Sequence, residues 1–277
     1  MLFKLIKMQT MVLFRRKSTV IVFFTILALV LQNFFTNMNI YRGEDVNMMI
    51  HPMRLLFLNG LIERWNTFFF QYYPLFVITP VAFTFLNDKN SREIIFIQGR
   101  TGKKNYYIGM FTSCFICTFL IYTIPFIVDG VLNCIAFPLQ SSGDIGVGGF
   151  FTPQYIKNIN GYLLIDLWNT NSYLYSFLNI IGIGIISGLF STFALAFSTI
   201  PFVKFKILVF LPVYSLLYLI APAKKLFSFK FSTSYYDYIQ MFNTNKKSFI
   251  ALLAFCGTLF LINIIILFIN IRKDDIV

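Results

Sequence analysis

Charge is scarce in this chain. Asp, Glu, Lys and Arg together make up 12% of its 277 residues, while hydrophobic residues make up 57%. A soluble globular domain carries roughly 25% charged residues, so the composition excludes an ordinary water-facing surface. Histidine is nearly absent, with His51 alone and outside the apolar runs. The four cysteines, Cys114, Cys117, Cys134 and Cys256, are scattered. No zinc-ligand spacing, phosphate-binding glycine loop or nucleophile elbow occurs. The apolar runs hold no acidic or basic residue near their middles, which argues against a proton relay or an ion-coupled carrier built on carboxylates. The sequence therefore reads as a non-enzyme with no catalytic residue, metal site or cofactor of its own. Any active transport would draw its energy from another chain.

What the chain has instead is long apolar runs. A membrane span needs roughly 20 mostly apolar residues, and six candidates lie at about 18–38, 68–86, 106–128, 173–197, 206–223 and 248–271. The fifth is the weakest, because its apolar stretch is confined to Ile207–Ile220 and contains Pro212. Pro80, Pro125 and Pro212 are expected to bend their helices. The first run lacks a small-residue cleavage site after it and reads as a retained span rather than a secretory signal. The predicted fold is an all-α polytopic membrane protein with six transmembrane helices.

The basic residues orient it. Lys4, Lys7, Arg15, Arg16 and Lys17 precede the first run. Lys89, Arg92, Arg100, Lys103 and Lys104 separate the second from the third. Lys204 and Lys206 precede the fifth, and Arg272 and Lys273 follow the sixth. The positive-inside rule places these segments, and both termini, in the cytoplasm. Segment 222–247 runs against the rule, since it carries Lys224, Lys225, Lys230, Lys246 and Lys247 against Asp237 alone and yet falls outside. The net charge of +12 points to anionic lipid headgroups rather than to nucleic acid, because the excess sits beside the spans. Tyr72, Tyr73, Tyr106, Tyr107, Tyr173 and Tyr175 fall near span ends, where a tyrosine ring suits the headgroup level.

Four segments stand out. Residues 1–17 place Leu2, Phe3, Ile6 and Leu13 on one side of a helical wheel and Lys4, Lys7 and Arg15 on another, which predicts an amphipathic helix along the cytoplasmic surface. Segment 87–105 mixes charge with Ile94-Ile-Phe-Ile97. There Ser91 is expected to cap a short helix with Glu93 in its first turn, and Gly99 and Gly102 to release the chain. That apolar core calls for lipid or a protein groove. Gly184 and Gly188, with Gly182, Ser187 and Ser191, make a small-residue face suited to close helix packing, within the chain or between two copies. Segment 222–247 sets aromatics beside Lys224, Lys225 and Lys230 and suggests short interfacial helices. The loops 39–67 and 129–172 are expected outside. The second contains Ser141-Ser-Gly-Asp144 and Gly146-Val-Gly-Gly149, which is turn material, and Asp129 is expected to reach water.

These pieces resemble a known family. Met1-Leu-Phe-Lys-Leu-Ile-Lys7, Phe85-Leu-Asn-Asp-Lys-Asn-Ser-Arg-Glu93 with Gly99-Arg-Thr-Gly102, and Asn270-Ile-Arg-Lys-Asp-Asp-Ile-Val277, in this order and architecture, resemble the permease subunits of ABC-2 type transporters. The likeness is to the small six-span form of low-GC Gram-positive bacteria. The resemblance implies an interfacial elbow at 1–17 and a six-span domain over 18–277. It also implies a coupling helix within 87–105 that docks on a cytoplasmic ABC ATPase, and short outer helices in 222–247. It assigns partner coupling to Ser91, Arg92, Glu93, Gly99 and Arg100. The chain departs from the family in lacking a glycine around Lys89–Arg92 and in carrying Gly109-Met110 where Gly-Lys is common.

The implied location is the bacterial cell membrane. The implied mechanism is alternating access by two permease subunits, identical or homologous, driven by ATP and Mg on the partner ATPase. The cargo would be a peptide, lipid or drug, with antimicrobial-peptide resistance among the roles. The alternative is a membrane scaffold or a peptide sensor or immunity protein with no cognate ATPase.

Overall fold

A computed structural model describes residues 2–44, 49–59, 63–139, 162–200, 203, 205–242 and 245–272, without the side chains of 63, 64, 223 and 225. The turn stretch at 141–149, with Asp144, lies outside the described residues. So do Asp45, Lys157, Lys204, Lys273 and the side chain of Lys225.

Among the described residues the architecture is helical, with no strand. The helices are α1 (Leu2–Phe14), α2 (Lys17–Ile40), α3 (Glu63–Ile78), α4 (Thr84–Asn90), α5 (Glu93–Thr101), α6 (Lys103–Ala136), α7 (Ile165–Thr170), α8 (Ser172–Ser198), α9 (Phe210–Ile220), α10 (Ala223–Leu226), α11 (Tyr235–Ile239) and α12 (Phe249–Arg272). Four of them, α2, α6, α8 and α12, are long and apolar enough to cross a membrane. At 1.5 Å per residue, α6 is about 50 Å long and exceeds a hydrocarbon core of about 30 Å.

The other two apolar runs are less regular, for local reasons. In the second, Pro74 lies inside α3, and the chain then passes through turns at 79–83 before α4. Pro74 has no N–H to give the carbonyl of Phe70 four residues back. The Tyr235 hydroxyl donates to that carbonyl instead, at 3.2 Å. The carbonyl of Pro80, in the turn, accepts from the hydroxyls of Ser18 and Thr19 of α2 at 3.3 and 3.2 Å. The fifth run gives a 3-10 turn at Lys206–Val209 and then only the 11 residues of α9, a rise of about 16 Å.

Residue pairings fix helix directions. α6 lies antiparallel to α3, with the Tyr106 hydroxyl donating to Asp88 at one end and Phe126 meeting Phe69 towards the other. α8 lies antiparallel to α6, with Gly184 against Thr123 and Gly188 against Phe115. α8 and α12 run the same way. The Asn263 amide donates to Thr192 at 3.0 Å, the Asn270 amide donates to Thr199 at 2.6 Å, and Phe190 meets Phe255. Two neighbours that run in one direction require a return between them. The stretch 205–242 supplies it, passing Phe83 at Phe210 and reaching Leu58, whose carbonyl accepts from the Met241 N–H at 2.8 Å. In the most apolar stretch of α8 67% of residues are buried, against 11% for α12, so α8 is central and α12 peripheral.

The core is aromatic. Phe57, Phe69, Tyr73, Tyr122 and Phe126 are fully enclosed and meet mostly edge to face, the arrangement ring quadrupoles favour. This corrects the expectation for the tyrosines. Tyr73, Tyr106, Tyr107 and Tyr175 are buried among helices, and only Tyr72 and Tyr173 face outward. Segment 52–59 also departs from the expected outer loop. It forms two 3-10 turns buried at the end of the bundle. The amides of Asn33 and Asn37 both donate to its Leu55 carbonyl, at 3.1 and 2.9 Å. Asp129 does not reach water there. Its carboxylate accepts from the Phe57 N–H at 2.7 Å and from the Asn133 amide at 2.9 Å. A buried turn needs a partner for every free N–H, and Asp129 meets that need.

Candidate functional site

The residues with the clearest functional pattern lie at the end of the bundle shared by α1, α4 and α5 and by the last turn of α12. α1 forms as expected, but its buried side is Leu5 and Leu13, with Leu2 and Ile6 half-buried, while Phe3 is exposed. It packs on α6 where Gly109 leaves room for Leu5 and Gln9; a Cβ at Gly109 would stand 2.6 Å from Gln9 Oε1. The Ser113 hydroxyl donates to the Ile6 carbonyl at 3.1 Å. The helix is thus fastened to the bundle by side-chain packing and a backbone contact together.

α4 is anchored by a polar cluster that the sequence reading did not single out. Arg16, at the corner between α1 and α2, donates to the Thr84 hydroxyl at 3.0 Å, and its other nitrogen stands 3.7 Å from Asp88. The Tyr106 hydroxyl donates to Asp88 at 2.8 Å. Removing either charge would leave the other part-buried and unpaired, which costs far more than an exposed pair is worth. One signal was available in sequence: an acid and an arginine each flank an apolar run on the side the charge ledger makes common.

Beyond this anchor the chain turns sharply into α5. Ser91 does not cap α5. Its hydroxyl bonds back to the Asn87 carbonyl at 3.0 Å and closes the end of α4. Arg92 takes the turn with φ of 57°, in the left-handed region, which is costly for a residue other than glycine. Gly99 does not release the chain either. It lies within α5, and the break falls at Gly102, with φ of 80°.

α5 has no fully buried residue. Ile94 and Ile97 pack against the bundle, while Ile95 and Phe96 are 63% and 72% exposed. Ser91, Arg92, Glu93, Gly99 and Arg100 are all exposed as well, spread over the end of α4, the turn and α5. Glu93 and Arg100 stand about 10 Å apart along the helix, too far to pair with each other. Each instead complements a helix end, the acid at the N-terminus and the base in the last turn. The arrangement is a short helix held rigidly at its base, offering two apolar side chains rimmed by charge.

The other predicted residues lie elsewhere. Gly184 and Gly188 face α6, where a Cβ on Gly184 would stand 2.2 Å from the Thr123 hydroxyl and one on Gly188 2.7 Å from the Phe115 ring. Their role is packing within the chain, and Phe115 and Phe119 fill the space they leave. Lys224 and Lys230 lie at the opposite end of the bundle and are exposed. Lys247, by contrast, is part-buried and donates to the carbonyls of Gln240 and Met241 at 2.8 and 3.0 Å. Burial pulls its ammonium down to about 7. Among the described residues no group of three or more His, Cys, Asp or Glu could hold a metal ion. No family model, curated protein or solved structure matches the chain.

Proposed function

We propose that this protein is the membrane permease subunit of an ATP-driven ABC-2 type exporter in a bacterial cell membrane, with α5 as the element on which a cytoplasmic ABC ATPase docks. The observation that carries this reading is α5 itself. Ile95 and Phe96 project from the end of a bundle whose base is locked by Arg16, Asp88 and Tyr106. An apolar pair that is exposed, framed by charge and rigidly held suits a protein groove. A push on it would be transmitted to α4 and α6 rather than absorbed by a loop.

The helix directions support six crossings. α2, the broken α3–α4 unit, α6, α8, the short α9 return and α12 alternate, which brings α1 and the last turn of α12 to the same end as α5. The basic residues of that end make it the cytoplasmic one. In this reading two such subunits, identical or homologous, form the pathway. ATP and Mg act on the partner, and a peptide, lipid or drug is carried by alternating access.

The test is co-purification of the tagged full chain from its native membrane. A soluble protein with a P-loop and the ABC signature should accompany the wild type and be lost from an Ile95→Asp/Phe96→Asp variant. Gly182→Ala serves as a control, because it lies on α8 away from α5 and a Cβ there meets nothing within 4 Å. Absence of any such ATPase from the wild type would leave a scaffold, sensor or immunity protein as the reading.

A further inference from the structure

The end of the bundle opposite α5 holds an apolar cavity of about 200 Å³ where α8, α9 and α12 do not close on one another. Ile186 and Phe190 of α8, Leu217 of α9 and Leu252 and Phe255 of α12 wall it, with Tyr235 of the connecting segment. Its walls are almost wholly apolar, so the space suits a length of hydrocarbon better than water.

Its edge is polar and basic. Ser232 and Thr233 line it. The Ser232 N–H donates to the Lys246 carbonyl at 2.8 Å, and the Lys224 N–H donates to the Thr233 hydroxyl at 3.0 Å. The backbones of both lysines are thereby tied to the cavity wall, and Lys224, Lys230 and Lys246 are exposed. The only acid of segment 222–247 is Asp237. It is buried, and it accepts from the Ser232 hydroxyl and the Asn245 amide. The surface around the opening therefore carries positive charge with no exposed acid from this segment. An apolar track leads outward as well. Phe231 lines the cavity, Phe229 stacks on it at 5.2 Å, and exposed Phe227 lies 5.8 Å further along.

We propose that the cavity holds one acyl chain of an anionic phospholipid, with its headgroup on Lys224, Lys230 and Lys246. An acidic peptide would satisfy the lysines but leave the apolar space unfilled, and a neutral lipid would fill the space but leave the lysines unanswered. Lipid tails are as apolar as the cavity, so moving a chain into it from the bilayer gains little. Selectivity must then come from the headgroup, which makes the lysines decisive. The site does not depend on the transport reading, and either can fail without the other.

The test places the full-length protein in nanodiscs of equal phosphatidylglycerol and phosphatidylcholine, extracts it gently and counts the retained lipids by mass spectrometry. The expected result is phosphatidylglycerol enriched by about fivefold for each lysine that reaches the headgroup, falling at high salt. Lys224→Gln/Lys230→Gln/Lys246→Gln should remove the preference while leaving some lipid of either kind bound. Ala251→Phe, at a residue lining the cavity, should lower retention of both lipids. The triple variant changes only exposed side chains and so remains informative if Ala251→Phe does not fold. Equal retention of the two lipids by the wild type would overturn the proposal, as would an enrichment that survives the triple substitution. Displacement of the bound lipid by glycerol phosphate alone would overturn the part played by the chain.

Discussion

Substituting the glycines of α8 one at a time separates packing within the chain from packing between copies. A Cβ added at Gly184 would stand 2.2 Å from the Thr123 hydroxyl and 2.9 Å from the Phe119 ring. At Gly188 it would stand 2.7 Å from the Phe115 ring. At Gly182, two residues before Gly184 and so on the other side of the helix, it would meet nothing within 4 Å. In an α-helix alanine is favoured over glycine by about 0.8–1 kcal/mol, so Gly182→Ala should leave stability unchanged or raise it. At Gly184 and Gly188 that gain is opposed by overpacking, which costs about 1–3 kcal/mol when rigid neighbours must move. Phe115 and Phe119 stack at 6.4 Å on α6 and cannot both turn away cheaply. Thermal unfolding of the purified protein in detergent should therefore give Gly182→Ala at or above the wild type and both other variants below it. The oligomeric state should be the same in all. Equal melting of the three variants would refute the packing argument. A change of oligomeric state without a change in melting would return the glycines to an interface between copies.

Topology is tested by single cysteines in a chain with Cys114, Cys117, Cys134 and Cys256 replaced. Position 100 should be labelled only in opened cells and position 230 in intact ones; the reverse at 230 would overturn the α9 return as a crossing. His51 accepts from the Met53 N–H through its Nδ1 at 3.2 Å, and burial lowers its imidazole to about 4. Folded His51 thus binds its proton later than unfolded His51, so stability should fall as pH drops from about 6.5 to 4; His51→Asn, which keeps an acceptor, should flatten that window in a melting series. Lys247 is lowered to about 7 by burial, so the folded state carries fewer protons than the unfolded one above that pH. Stability of the wild type relative to Lys247→Gln should rise from pH 7 towards 10, and parallel curves would count against the buried ammonium.

The long uninterrupted apolar runs were legible, and α2, α6, α8 and α12 follow them closely. The second and fifth runs were not legible as shapes. Apolar composition is blind to Pro74 and Pro80 acting together, and to how little of 206–223 winds into a helix. Segment 52–59, expected only as part of the outer loop 39–67, was not legible as buried turns, because its enclosure depends on distant side chains. Only the fold shows that Asn33, Asn37 and Asp129 meet its backbone groups. Asp129 looked wet because it lies at the outer end of the third apolar run. In segment 87–105 the helix and the acid in its first turn were predictable, whereas Ser91 went to the neighbouring helix, the turn fell on Arg92 and the helix ran on past Gly99 to Thr101. Local propensity cannot decide which of two adjoining helices a hydroxyl closes. The Arg16–Asp88–Tyr106 cluster joins residues far apart in sequence, and only the antiparallel placement of α3–α4 and α6 brings them together.

Docking of a cytoplasmic ATPase on α5, the proposed entry point for force, is read directly by in-cell photo-crosslinking. A photoreactive residue at position 96 should capture a cytoplasmic ATPase bearing the ABC signature in intact cells, and the same residue at position 227 should not. Crosslinks from 96 only to lipid, or to the ATPase from 227 instead, would contradict it.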